Sequence, residues 1–156
     1  MSASKLTPRK RAHESGRVMT ENDNAFRELG AQLELIETGV ARVRLKITKN
    51  HTNGHGFCHG GIIFTLADAT FGLACNSYNV KAVAQSCNIT YIATVKETDI
   101  LIAEAKELKK FGRSAIYDVT IKNQDNNLIA IFRGHSREIG GPIFRESSFS
   151  TCVRPA

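Results

Sequence analysis

Several features that would settle the class of this chain directly are missing from it. No uninterrupted apolar run approaches the roughly 20 residues of a membrane-spanning helix, and residues 1–20 contain no apolar core of a secretory signal, so a soluble, cytoplasmic protein is expected. The four cysteines, Cys58, Cys75, Cys87 and Cys152, form no CxxC pair, which argues against zinc and dithiol redox sites. Buried or inert thiols in a reducing compartment are expected instead. No Ser-His-Asp arrangement, phosphate-cradling glycine motif, internal repeat or low-complexity segment is visible.

A basic stripe on the folded body is also lacking. The net charge is +6, but Lys5, Arg9, Lys10, Arg11 and Arg17, set against Glu14, supply +4 of it within residues 1–20. A nucleic-acid binder would spread that charge along its body with interleaved aromatics, whereas only a short cluster at Lys106, Lys109, Lys110 and Arg113 is present. Neither nucleic acid nor membrane is expected as a partner. His55 and His59 are four apart but lie in a glycine loop with no carboxylate or third histidine nearby in sequence, so no metal site is expected. Cys58 beside His59 does not read as a thiol nucleophile, because adjacent residues point apart.

What is present fits one domain. At 156 residues, with 42% hydrophobic and 23% charged residues, the chain is long enough to bury a core unaided. Residues 1–20 read as a flexible basic arm, 21–141 as the folded unit and 142–156 as a tail without pattern. A short helix is predicted from about Asn22 to a stop at Gly30. AQLELIETG and VARVRLKIT then alternate apolar and polar residues as a hairpin. After the loop KNHTNGHGFCHGG comes an apolar helix, and the period returns to two over Val83–Thr94, Ile100–Lys110, Ser114–Lys122 and Leu128–Ile139. Two strands, one long helix and four strands make an α+β layout, an antiparallel sheet with one face against a single helix.

That helix carries the candidate chemistry. Counted at 100° per residue from Ile63, residues Phe64, Ala67, Phe71 and Ala74, with Leu66, Leu73 and Ile62 beside them, form the core stripe. Asp68, Thr65 and Gly72 fall together at roughly 140–200°. This sector has no Lys, Arg or Glu, the usual residents of a solvated face, and a mid-helix aspartate has poor intrinsic propensity. A strip of Asp, Thr and Gly allows close approach by another backbone or a ligand. At the helix start, Gly60 and Gly61 precede unpaired N–H groups at the positive end of the dipole. Such a terminus could bind phosphate, polarise a carbonyl oxygen or be a plain tight turn. Gly60 and Asp68 are eight residues apart, about 12 Å at 1.5 Å per residue, while an oxyanion donor and a base must each reach within about 3 Å of the reacting atoms. If they form one site, two antiparallel helices related by a two-fold axis must supply it.

The stretch from Asn53, NGHGFCHGGIIFTLADATFGLACNSYN followed by VAQSCNITYIATV, closely resembles the hotdog-fold acyl-CoA thioesterases of the phenylacetic acid degradation (PaaI) type. The resemblance runs from about Ala31 to Gly141 and includes FRGHSREIGG. It implies a curved antiparallel sheet wrapped around one long helix, two-fold dimers with shared sites that commonly pair into tetramers, and hydrolysis of acyl-CoA, with aromatic acyl groups such as phenylacetyl as the nearest expectation. Coenzyme A is then part of the substrate, and no cofactor is expected. By the same resemblance Asp68 is the catalytic carboxylate, as base or nucleophile, Gly60 polarises the thioester carbonyl, Asn53 positions substrate or water, and His59 precedes the glycines. Gly61 and Thr65 adjoin the substrate, and Lys110, Arg113 and Arg133 are candidates for the coenzyme A phosphates.

The chain departs from the pattern at Ala84, where some relatives carry a water-orienting serine or threonine. Ser86, two residues on, returns to the same face if the strand is regular. Asn53 or Thr65 would otherwise have to assist Asp68. Two other classes are weighed: a hotdog protein that binds acyl-CoA without hydrolysing it, and a dehydratase of the same fold, for which the required histidine and carboxylate pair is not found.

Overall fold

The computed structural model describes residues 6–146. Two short helices, α1 (Pro8–Asn22) and α2 (Asn24–Leu29), lead into strands β1 (Gln32–Glu37) and β2 (Val40–Lys46). A 3₁₀ turn at Lys49–His51 and a loop precede the long helix α3 (Gly60–Asn76), and β3 (Ala82–Tyr91), β4 (Ile100–Phe111), β5 (Ser114–Lys122) and β6 (Leu128–Glu138) complete the chain. The six strands form one sheet in the order β1-β2-β4-β5-β6-β3, with every pairing antiparallel.

Alternation in the strands builds the core. Ala41, Val43 and Leu45 of β2, Leu101, Ala103 and Ala105 of β4, Ala115, Tyr117, Val119 and Ile121 of β5, and Ala130 and Phe132 of β6 are all buried. They face α3, which packs against all six strands and contributes Ile63, Leu66, Ala67, Phe71, Leu73 and Ala74. Phe71 sits at the centre, its ring 5.6 Å from Tyr117 and 5.9 Å from Phe132. Burying one such side chain stabilises the fold by about 1.5–3 kcal/mol. Thr70 is also fully buried, its hydroxyl donating to the Leu66 carbonyl at 2.6 Å, so no polar group is left unpaired there.

Residues 8–20, expected as a flexible arm, are instead part of α1. Thr7 caps the helix, its hydroxyl accepting from the Lys10 N–H, and proline stands at the first turn. The buried face is Ala12, Ser15 and Gly16. A Cβ added at Gly16 would lie 3.0 Å from Ile36 Cδ1 and from Leu33 Cδ2, so the missing side chain lets α1 lie directly on β1. An interface made of Ala, Ser and Gly has no apolar periodicity, which is why the segment reads as a solvated tail. The start of the expected loose tail is anchored too: the Asn79 side-chain oxygen Oδ1 accepts from the Ile143 and Phe144 N–H groups, and Glu146 pairs with Arg11 at 2.6 Å. Residues 147–156 and Cys152 lie outside the described residues.

The strand boundaries match the expected ones to within three residues at each end. The predicted short helix also appears, closed by Gly30 in the left-handed conformation at φ 78°. One end of the sheet, β1, lies against α1, whereas no strand among the described residues pairs with the outer edge of β3.

Candidate active site

The start of α3 is made by His59. Its backbone is extended, and its Nδ1 accepts the Gly61 N–H at 2.9 Å, the arrangement of an N-cap. Gly60 follows at the first helical position, and its own N–H has no acceptor among the described residues. An uncommitted donor at the positive end of a 17-residue helix is a fixed partner for an oxygen that gains negative charge.

Two turns on, Asp68 is half-buried on the strip foreseen from the sequence, with Thr65 exposed and Gly72 half-buried beside it. The Thr65 hydroxyl donates to the Gly61 carbonyl at 2.8 Å and makes no bond to Asp68. Burial raises the Asp68 carboxyl above the usual range, the charge of Asp23 adds to this, and a hydrogen bond from Cys87 opposes both. No cation pairs with Asp68 among the described residues.

Strand β3 runs along α3 in the opposite direction and meets it at three levels. At the far end the Asn76 side chain donates to the Ala82 carbonyl at 2.9 Å and accepts the Ala82 N–H at 3.0 Å. Midway the Cys87 thiol donates to Asp68 Oδ1 at 3.7 Å. At the near end the Tyr91 hydroxyl donates to the Gly60 carbonyl at 2.8 Å.

An irregularity in the β3–β6 ladder decides which residues make these contacts. Ala84 pairs with Ser136, but Ser86, not Gln85, pairs with His135, and Cys87 follows opposite Gly134. Ser136 and Gly134 are buried on the helix side, and residues opposite one another in a ladder share a face. The bulge at Gln85 therefore moves the inward phase from Ala82 and Ala84 to Cys87, Ile89 and Tyr91. Ser86, expected on the same face as Ala84, is turned outward. The helix-side place after the bulge belongs to Cys87, which strict alternation does not identify.

Asn53 is half-buried in the loop before α3, where its side-chain oxygen accepts the N–H groups of His55 at 2.9 Å and Phe57 at 3.3 Å. That geometry shapes the turn and leaves its amide N–H groups uncommitted among the described residues. The loop is pinned from below by Cys58 N–H to Val95 O at 2.7 Å and by His59 N–H to the carbonyl of buried His51 at 2.8 Å. Burial pushes the thiols of Cys58 and Cys87 up to about 11 and that of Cys75 up to about 12, so all three are protonated near neutrality. None has the thiolate character of a nucleophile.

The three basic candidates lie elsewhere and are engaged within the chain. Lys110 pairs with Glu138 at 2.7 Å and sits 4.3 Å from the centre of the Tyr78 ring. Arg113 donates to the Glu138 carbonyl at 2.8 Å. Arg133 forms two hydrogen bonds to Asp118, at 2.6 and 2.8 Å. A groove of about 470 Å³ on the outward face of the sheet, lined by Arg42, Glu104, Lys106 and Lys122, contains none of the site residues.

Comparison with known proteins bears on this geometry. The family model described as "Thioesterase superfamily" matches residues 55–130, which span the end of the loop, α3, β3, β4, β5 and the start of β6. The chain is 37% identical over 137 residues to the acyl-coenzyme A thioesterase PaaI of Escherichia coli K12, covering 88% of this chain and 98% of that one. It superposes on the solved structure of the E. coli PaaI protein with a TM-score of 0.85 at 36% identity, over 87% of this chain and 99% of that one. A Streptococcus mutans UA159 protein with acetyl-CoA bound matches with a TM-score of 0.70 at 28% identity, over 72% of this chain and 90% of that one. The helix wrapped by the sheet is the hotdog fold, and the chain belongs to the thioesterase superfamily, among the hotdog-fold acyl-CoA thioesterases of the PaaI type.

Proposed function

We propose that the chain hydrolyses acyl-CoA thioesters to a free acid and coenzyme A, using sites shared between two copies related by a two-fold axis. The observation that carries this reading is the pairing of complementary chemistry on one helix: a free N–H at Gly60 and a half-buried carboxylate with a raised pKa at Asp68. At about 12 Å of helical rise apart they cannot act together within a copy. Asp68 is held by Cys87 of β3, the strand whose outer edge pairs with no other strand among the described residues, so a second copy brought against that edge and the helix would set its helix start beside Asp68.

In that arrangement the thioester carbonyl oxygen accepts the Gly60 N–H, and Asp68 of the other copy takes the proton of the attacking water or attacks the carbonyl carbon itself. Water adds its oxygen to that carbon in the overall reaction. The C–S bond breaks, and the departing sulfur leaves as the coenzyme A thiol. The amide N–H groups of Asn53 are the chain's available donors for orienting water in place of the hydroxyl missing at Ala84. Of the basic candidates, Arg113 bonds only a backbone carbonyl among the described residues, which leaves its charge for a phosphate; Lys110 and Arg133 would have to exchange a carboxylate for it. An aromatic acyl group is favoured by likeness to PaaI and by Phe64, half-buried beside the strip with its ring 5.5 Å from Phe132.

The test is release of free thiol across a panel of acyl-CoA substrates, phenylacetyl-CoA against straight-chain esters, with Asp68→Ala inactive on all of them. Mixing Asp68→Ala with Gly60→Val should restore partial turnover through heterodimers that hold one intact site. Failure to recover on subunit exchange would sink the shared site. Tight binding of acyl-CoA without any thiol release would favour a non-hydrolytic binder.

A further inference from the structure

We infer that Cys87 is a positioning residue for the reaction: its S–H holds Oδ1 of Asp68, leaving Oδ2 to face the reacting water or thioester. This inference rests on the reading of Asp68 as the reacting carboxylate.

Three observations carry it. Among the described residues, the Cys87 thiol is the sole hydrogen-bond donor to the Asp68 side chain. A carboxylate on a helix rotates about its terminal bond with a broad, soft preference, so a donor on one oxygen decides where the other points. The second observation is the bulge at Gln85, which turns Ser86 out and Cys87 in, opposite a glycine. That rung of the ladder has a single side chain, and it reaches the aspartate. The third is fixation from both ends of β3, by Asn76 at Ala82 and by Tyr91 at Gly60. The thiol thus comes from a strand tied to the helix it serves.

The surroundings define what the thiol can do. Among the described residues, the titratable groups that interact with Asp68 are Asp23 at the start of α2, Cys75 on α3 itself and Cys87 on β3. Burial and Asp23 act to keep the carboxyl protonated, and the Cys87 hydrogen bond alone favours the ionised form. A thiol pushed up to about 11 by burial and by the neighbouring charge stays protonated across the working range. It therefore acts as a donor and not as a competing nucleophile. A thiol is a weak donor, but its acceptor here is charged.

The experiment compares kcat, KM and the pH dependence of kcat/KM for Cys87→Ala and Cys87→Ser with the parent protein, alongside Asp68→Asn. Loss of the donor should lower kcat about three- to tenfold, the effect of roughly one hydrogen bond, with KM changed by less than about twofold. The acid limb of the profile should move to higher pH, because the base must be ionised and has lost the group that favours ionisation. Cys87→Ser, which keeps a donor, should recover most of kcat and return the limb towards the parent position.

Cys87→Ala with parental kcat and an unmoved limb, in an enzyme that Asp68→Asn inactivates, would overturn the inference and leave the proposed function standing. Full activity in Asp68→Asn would overturn both. A readout without turnover covers poor folding of the alanine variant. The infrared S–H stretch assigned to Cys87 by difference against Cys87→Ser should lie at lower frequency in the parent than in Asp68→Ala, and equal frequencies would refute the hydrogen bond.

Discussion

The last residue of β3 holds the first residue of α3: the Tyr91 hydroxyl donates to the Gly60 carbonyl at 2.8 Å, and a Cβ added at Gly60 would lie 3.2 Å from Tyr91 Cζ. The N–H that we propose meets the thioester belongs to a residue clamped through its own carbonyl. Tyr91→Phe removes the bond while keeping the ring, at a cost of about 0.5–1.5 kcal/mol. The expected outcome is a fall in kcat/KM of about two- to tenfold with the thermal midpoint lowered by no more than about 1–6 °C. Steady-state kinetics beside a melting curve checks it.

Asp68→Asn should abolish most hydrolysis yet raise stability near neutral pH. The folded-state pKa of Asp68 is raised, mainly by burial, so between the ordinary carboxylate value and the raised one the folded form holds more protons than the unfolded form. Stability then falls as pH rises through that window. Replacing the carboxylate by an amide removes this penalty. Melting temperatures of the two proteins should differ in favour of the variant at about pH 7 and converge near pH 3, where both side chains are neutral.

Gly134→Ala should destabilise the core beneath the rung that carries Cys87. The added Cβ would stand 2.8 to 2.9 Å from three carbons of the Phe71 ring, closer than any real contact, and Phe71 is held by Tyr117 and Phe132. Overpacking of this kind costs about 1–3 kcal/mol. Denaturant melts should show that loss, and adding Phe71→Leu should recover part of it.

Loss of α1 should be costly. Deleting residues 1–22 uncovers Ile36 and the inner side of Leu33, and it removes the Arg11–Glu146 pair. The expected loss is at least about 2 kcal/mol, which corresponds to several degrees in Tm. Gly16→Leu tests the same interface with one substitution, since its side chain has no room against Ile36 and Leu33. An unchanged melting curve for both variants would mean that α1 contributes nothing to stability.

Most of the fold was legible because its signals are periodic. Ser114–Lys122 was readable to the residue because alternation there is unbroken, and Asp68 stood out as a carboxylate on a helix face without other charges. Three things were hidden. The contact surface of α1 is made of small residues, whose packing depends on how closely backbones approach and leaves no hydrophobic pattern. Cys87 was hidden because a bulge is a property of the ladder: nothing in AVAQSCNITY marks which residue goes unpaired. The partners of Arg133 and Lys110 were hidden because Asp118 and Glu138 become their neighbours only through the register of β4, β5 and β6.

The single extra residue at Gln85 also governs how variation along β3 would be felt. Before it, even-numbered positions meet the helix; after it, odd-numbered ones do. A saturation scan of β3 should show tolerance alternating with period two and slipping by one step at residue 85. Excising Gln85 would straighten the strand yet keep Ala84 and Cys87 on the inner side. Inserting one residue between Gln85 and Cys87 would force either a wider bulge or exchange of every later side chain between the two faces. β3 is thus sensitive to residue count in a way its composition does not disclose.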